Sequence, residues 1–317
     1  MIELRDDTLV FSFPEVHPRA ELRVQFQRTL RIPDDDGDYP LPAGLGAFPL
    51  RHVDDHGERV PESWITHGGI LLPMYQSEAM WLNFDAQWVE EHDTEYPFAV
   101  KIAAGKVNAV TGATWSNDLH RRPQDYVVAP DQPWLDGFCV QKGIIRQFVA
   151  MPLGSGFSAE EQLTGEAEHG GLQIVVYPMK RSVFEKRFPK VDRLARVMTK
   201  EFELVPVCYS CPEPDMGLAP GGRMRQEIYD DPYKLSDWEP THRSRCFVHL
   251  TNSAMWRDIT GEAPPTVPPT AEAYAREGLP WFEFYDEGAT AVNGSDVLAG
   301  LKSVEQKKKD QVREGEF

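Results

Sequence analysis

Apolar and polar residues alternate along much of the first thirty positions. Leu9-Val10-Phe11-Ser12-Phe13 is one strand-like run, and Leu22, Val24 and Phe26 alternate with Arg23, Gln25 and Gln27 in the next. A period of two buries one face of a strand and wets the other. The signal returns at Ile70-Leu71-Leu72, at Ala79-Met80-Trp81-Leu82-Asn83-Phe84, and at Phe98, Val100 and Ile102 before the Ala104-Gly105-Lys106 turn. Residues 134–179 carry the densest mixture. An apolar run over 144–153 meets the Gly154/Gly156 bend, an acidic segment reaches His169, and Gly170-Gly171 opens the strand-like Leu172-Gln173-Ile174-Val175-Val176-Tyr177. Further strands are expected over 203–208 and 245–250.

Helical spacing is rarer. Phe184, Phe188, Val191, Leu194, Ala195 and Met198 predict a helix within 182–200, kinked or broken at Pro189. Thr270 can cap a short helix over 271–276. Residues 295–312 form an amphipathic pattern that starts apolar and ends in Lys307-Lys308-Lys309, charges suited to a helix C-terminus. Residues 211–223 read as a Pro/Gly loop and 263–270 as a proline-rich linker.

Many short strands, with no repeated alternation of strand and long helix, predict a mainly β (α+β) fold. Its expected form is an antiparallel two-sheet sandwich with peripheral helices and a C-terminal helical arm. The expected division is a β-rich core over 1–262, allowing two similar halves with a boundary near 130, and a linker and arm over 263–317.

The 26 prolines and 24 glycines among 317 residues fit short elements joined by turns. The net charge of −17 repels phosphate backbones and anionic membranes, so neither is an expected partner. It is compatible with solubility, a salt-rich cytoplasm or a basic protein partner. No apolar stretch approaches the ~18 residues of a membrane span, and the N-terminus shows no secretory pattern. A cytoplasmic location is the expectation. Four cysteines in a chain of this length do not make a disulfide framework.

Four constellations could carry chemistry. Cys208 and Cys211 form a C-x2-C pair, and Cys246 with His249 supplies a C-x2-H, which together could bind zinc. Residues three apart on a strand point to opposite faces, so buried thiols are the competing explanation. Gly154-Ser155-Gly156-Phe157-Ser158-Ala159 has the form of a dinucleotide loop, but Gly165 leaves too short a helix after it. Glu168 and His169, in an acidic loop with Glu160, Glu161 and Glu166, could pair as a general base and its orienting carboxylate. A solvated acidic loop competes with that. Trp115, Trp134, Phe138 and Phe157 lie in or beside Gly/Pro loops, where aromatics either line a ligand groove or close the ends of a sandwich.

With no catalytic signature, the expected function is a non-catalytic binding or assembly protein. Its partner is another protein or a second copy, engaged through 263–317. The alternative is a metal-dependent or hydrolytic enzyme using the Cys/His or Glu/His groups.

Overall fold

In the strand Glu21–Thr29, Leu22, Val24 and Phe26 are fully buried while Arg23 and Gln25 stay partly exposed, as their alternation requires. The computed structural model describes residues 1–35, 37–191, 216–270, 281–282 and 288–310. Two large sheets account for most of it. The first runs from edge to edge through Ile2–Arg5, Thr8–Ser12, Glu21–Thr29, Ala79–Ala86, Ile144–Pro152, Met216–Arg225 and Asp38–Tyr39. Every neighbouring pair is antiparallel except the last.

The second sheet runs through Val107–Asn108, Phe98–Ala104, Leu172–Pro178, Ser244–Thr251, Ile70–Pro73 and Arg51–His52. Its one parallel pair joins Ser244–Thr251 to Ile70–Pro73. Both sheets draw strands from either side of residue 130. Their inner faces meet in one continuous core, with Leu22, Val24 and Phe26 on one side and Val100, Ile102, Ile174 and Val248 on the other. This is the expected mainly β, two-sheet α+β architecture. No helix among the described residues is long and apolar enough to cross a membrane.

The outer face of the second sheet is partly covered by the helices Glu62–His67 and Ser253–Thr260. Trp64, Trp256 and Ile259 pack there with Val53 and Leu71 in a separate small core. Covering one face with short helices leaves a seam beside each, and the candidate site lies in one of them.

Three elements depart from expectation. Met216–Arg225 is a full strand although Gly217, Pro220, Gly221 and Gly222 suggested a loop. A Cβ at Gly222 would stand 2.2 Å from the Pro33 carbonyl oxygen, so the glycine lets two backbones touch. The helix expected over 182–200 spans Arg181–Arg187 and stops before Pro189; residues 192–200 lie outside the described set. The expected C-terminal helix is two short ones, Asp296–Ala299 and Val304–Asp310. Ser303 caps the second, its hydroxyl accepting from the Gln306 amide while Gln306 Oε1 accepts from the Ser303 amide.

The described part of the C-terminal segment packs on its own chain. Thr266 accepts from Arg28, Leu298 and Val304 are fully buried, and the Ser295 hydroxyl donates to the Thr111 carbonyl at 2.5 Å. Trp281–Phe282 pairs with Leu41–Pro42. The expected strand over 203–208 and helix over 271–276 lie outside the described residues.

Candidate functional site

Strand parity sorts the side chains of Ser244–Thr251. Cys246, Val248 and Leu250 enter the core, while Phe247 and His249 stand on the outer face. Helix Glu62–His67 covers that face and sets Trp64 parallel to His249 with ring centroids 4.6 Å apart. From the other side comes the chain before Leu172–Pro178. Gly170 and Gly171, both at positive φ (52° and 48°), bend it close against the neighbouring strand. A Cβ at Gly171 would meet the Val248 carbonyl oxygen at 2.3 Å, so only glycine allows the approach.

The result is a cleft of about 50 Å³ walled by Trp64, His67, Glu168, His169, Phe247 and His249. The His67 ring lies 4.8 Å from that of Phe247 and 5.7 Å from that of His169.

Two of the three histidines have one ring nitrogen against a fixed acceptor. His249 Nε2 is 2.9 Å from the Gly68 carbonyl oxygen and His67 Nδ1 is 2.6 Å from that of Ser63. A carbonyl only accepts, so those nitrogens carry the hydrogen in the neutral rings and the opposite nitrogens present lone pairs. Burial pushes His249 down to about 4, the Gly68 carbonyl opposing and the charge of His67 adding to the shift, so it is neutral at physiological pH.

His169 stands beside two carboxylates, with no hydrogen bond from its Nδ1 to either. Its Nδ1 lies 3.3 Å from Glu160 Oε1 and 3.5 Å from Glu168 Oε2. Glu160 is buried because it sits in the first turn of the helix Ala159–Thr164, where Ser158 and Glu161 form a reciprocal cap. Glu160 Oε2 accepts from the His169 and Gly170 amides at 3.3 and 3.1 Å, which fixes the carboxylate behind the ring. Glu168 is exposed and pairs with Lys106 at 2.8 Å, and that hydrogen bond holds its carboxyl below the usual range.

The structure thus brings Glu168, His169 and His249 into one cleft. Cys246 is not with them: it faces the core, where burial pushes its thiol up to about 12. Cys208 and Cys211 lie outside the described residues. Among the described residues, no three His, Cys, Asp or Glu side chains converge in the manner of a metal site.

The four aromatics do not share a site. Phe138 is fully buried, edge-on to Phe148 at 4.9 Å. Phe157 packs with Val149, Met151 and Val304. Trp134 meets Trp81 edge-on at 6.3 Å, and Trp115 lies over the Lys101 ammonium at 5.4 Å. That ammonium is buried and donates to Ser116 Oγ, the Asp118 carbonyl and Asp125 Oδ2 at 3.1, 2.6 and 2.6 Å. All three of its protons are used, so Lys101 is a charged cross-link beneath the 113–125 loop.

The dinucleotide-like loop is occupied by its own helix. The Gly156 and Ser158 amides donate to Glu161 at 2.6 and 3.1 Å, which takes the donors a phosphate would need. The strands flanking it, Ile144–Pro152 and Leu172–Pro178, belong to different sheets.

Sequence reasoning passed over Trp64 and His67. They lie between the patterned segments, where no element is expected. The available signal was the bracket of Pro61 and Gly68 around six residues, a start and a stop for one short helix. Comparison with known protein families, characterised proteins and solved structures finds no match.

Proposed function

We propose that the protein is a binding protein, and that its cleft takes the polar tip of a ligand, a group bearing N–H or O–H donors. The observation that carries this is the set of three histidines. His67 and His249 are each fixed at one nitrogen by a carbonyl and offer the other as an acceptor, and His169 stands beside them with Glu160 behind it, between the apolar walls of Trp64 and Phe247. Acceptors without competing donors select a donor-bearing group. At about 50 Å³ the cleft holds a few heavy atoms, since a water occupies about 30 Å³ in the liquid. The ligand's remainder lies outside, and a basic partner matches the net charge of −17.

The test is a titration of the full chain with ammonium, methylguanidinium and acetamide, followed by the histidine ring-nitrogen resonances and Trp64 fluorescence. Acetate is the acceptor-only comparison. Saturable shifts of His169 and His249 with the donors and not with acetate are expected. His249→Phe keeps the stacking on Trp64 and removes the acceptor, and should weaken binding about tenfold. Equal shifts with acetate, or none with any probe, would refute the proposal.

A second possibility, an enzyme, draws on Glu160 behind His169. A buried carboxylate at a histidine's Nδ1 is how a general base is oriented toward a water or hydroxyl. In that case Glu160→Gln abolishes turnover of an ester or amide panel with ligand affinity retained. An equal loss of both would leave binding alone.

A further inference from the structure

A second cavity, of about 480 Å³, opens between the body and the C-terminal segment and shares no lining residue with the histidine cleft. Its walls are the turn at Val110 and Thr111, the loop 121–124, Asp230, and residues 290–295. The segment is sewn in place. The Val292 amide donates to the Ile228 carbonyl at 2.7 Å, Asp230 donates to the Thr290 carbonyl at 2.6 Å, and the Ser295 amide donates to Cys139 at 3.0 Å. Gly294 lies so close to Gln141 that a Cβ would meet its Cα at 2.1 Å. This wall is therefore a fixed part of the fold.

Two arginines reach the cavity and differ in what they face. Arg121 is engaged: it donates to the Asp231 carbonyl at 2.6 Å and to that of Tyr233, and lies 3.3 Å from the buried Asp231 carboxylate. Arg122 is exposed and has no hydrogen-bond or ion-pair partner among the described residues. The Thr290 hydroxyl and the Asn293 amide are likewise unpartnered there. Asp230 is half-exposed, and its carboxylate is 3.9 Å from Arg121, too far for a hydrogen bond.

A free guanidinium in a cavity of small-molecule size is a receptor for a planar anion, which it grips with two parallel N–H donors. The charge balance narrows the class. One uncommitted cation beside the Asp230 carboxylate can neutralise a monoanion, whereas a phosphate dianion would meet repulsion. Asp230 supplies an acceptor for a donor elsewhere on the same ligand. We propose that this cavity binds a small monocarboxylate bearing a hydrogen-bond donor, the class of α-amino and α-hydroxy acids. Arg122 takes the carboxylate and Asp230 the ammonium or hydroxyl.

The experiment is a titration of the full chain with glycine, L-lactate, acetate and inorganic phosphate, read from the backbone amides of Thr111, Asn293 and Gly294. Glycine or L-lactate should give saturable shifts at those amides, tighter than acetate and tighter than phosphate. Arg122→Gln, at an exposed position, keeps the fold and weakens binding about tenfold. Asp230→Asn should weaken glycine more than acetate. The proposal is overturned by no saturable shift up to tens of millimolar, by phosphate binding as tightly as glycine, by an unchanged affinity in Arg122→Gln, or by Asp230→Asn weakening glycine and acetate equally. Circular dichroism of both variants separates loss of the site from loss of the fold.

Discussion

Asp136 is the residue whose environment has the plainest thermodynamic consequence. It is buried with no cation among the described residues paired to it, and Gln226 Nε2 donates to its carboxylate at 2.8 Å, as does the Trp134 side chain. Burial outweighs those hydrogen bonds and pushes the carboxyl up to about 7, from 3.8 in an unperturbed aspartate. Between those values the native state holds a proton that the unfolded chain has lost, so stability falls as pH rises through that window and levels off above it. His249 works in the opposite direction. Pushed down to about 4 from 6.5, it resists protonation when folded, so stability is lost as pH falls through its window. The two slopes overlap near pH 5 to 6, and a variant is needed to separate them. Buried Glu78, also pushed up to about 7, adds a slope of the same sign, so Asp136→Asn should reduce the downward slope, and its melting temperature should decline less from about pH 5 to pH 8 than that of the parent, measured by calorimetry. An identical pH profile in the variant would mean that Asp136 is ionised in the native state. None of this was legible in Pro133-Trp134-Leu135-Asp136. The sequence shows two aromatics and a turn. It does not show that Asp136 is buried against the side chain of Gln226, which arrives from ninety positions away.

At the scale of elements, period-two alternation located strands well, because each strand needed only one face to be buried. It failed where glycine decides. Met216–Arg225 looked like a loop because Gly and Pro usually punctuate, yet here two glycines let a central strand lie against its neighbours. The local sequence is the same in both cases; what differs is the Pro33 backbone, nearly two hundred positions earlier. Gly222→Ala should cost about 1–3 kcal/mol, the usual scale of overpacking a filled site. Gly57→Ala, where a Cβ meets nothing within 4 Å and φ is −50°, should be neutral or stabilising by about 0.5 kcal/mol. Urea unfolding of both variants checks the contrast, and equal effects would mean the Gly222 strand relaxes freely. The C-terminal pattern failed for a related reason. Its apolar positions suit one continuous helix, but Gly300 and the Ser303 cap divide it, and Lys302 accepts from Gln162 through its carbonyl at 2.9 Å. The histidine cleft was half legible. Glu168, His169 and His249 stood out by residue type, whereas their meeting depends on the pairing of Leu172–Pro178 with Ser244–Thr251, and the arrival of Trp64 and His67 on the parallel pairing of Ser244–Thr251 with Ile70–Pro73, which no local pattern announces.

For the whole molecule, the two-sheet architecture was legible because strand count, turn density and the scarcity of long helices all point one way. The relation of residues 263–317 to the body was not, since an amphipathic helix shows that a face must be covered without showing by what. In the described residues the covering is internal. Removing residues 288–317 exposes the core around Leu298 and Val304 and should lower the melting temperature by ten degrees or more, on the scale of ~2–5 kcal/mol per large buried side chain lost. An unchanged melting temperature would show that this segment contributes no stability. The same stitching bears on how the chain is made. Arg28 waits 238 residues for Thr266, and Asp34 waits 271 for the Glu305 amide. Emerging from the ribosome in order, the strand Glu21–Thr29 is made long before the segment whose Thr266 it contacts. Until residue 305 has been made, Arg28 and Asp34 lack those partners, so a pause in synthesis before that point lengthens the time the amino-terminal strands spend without them.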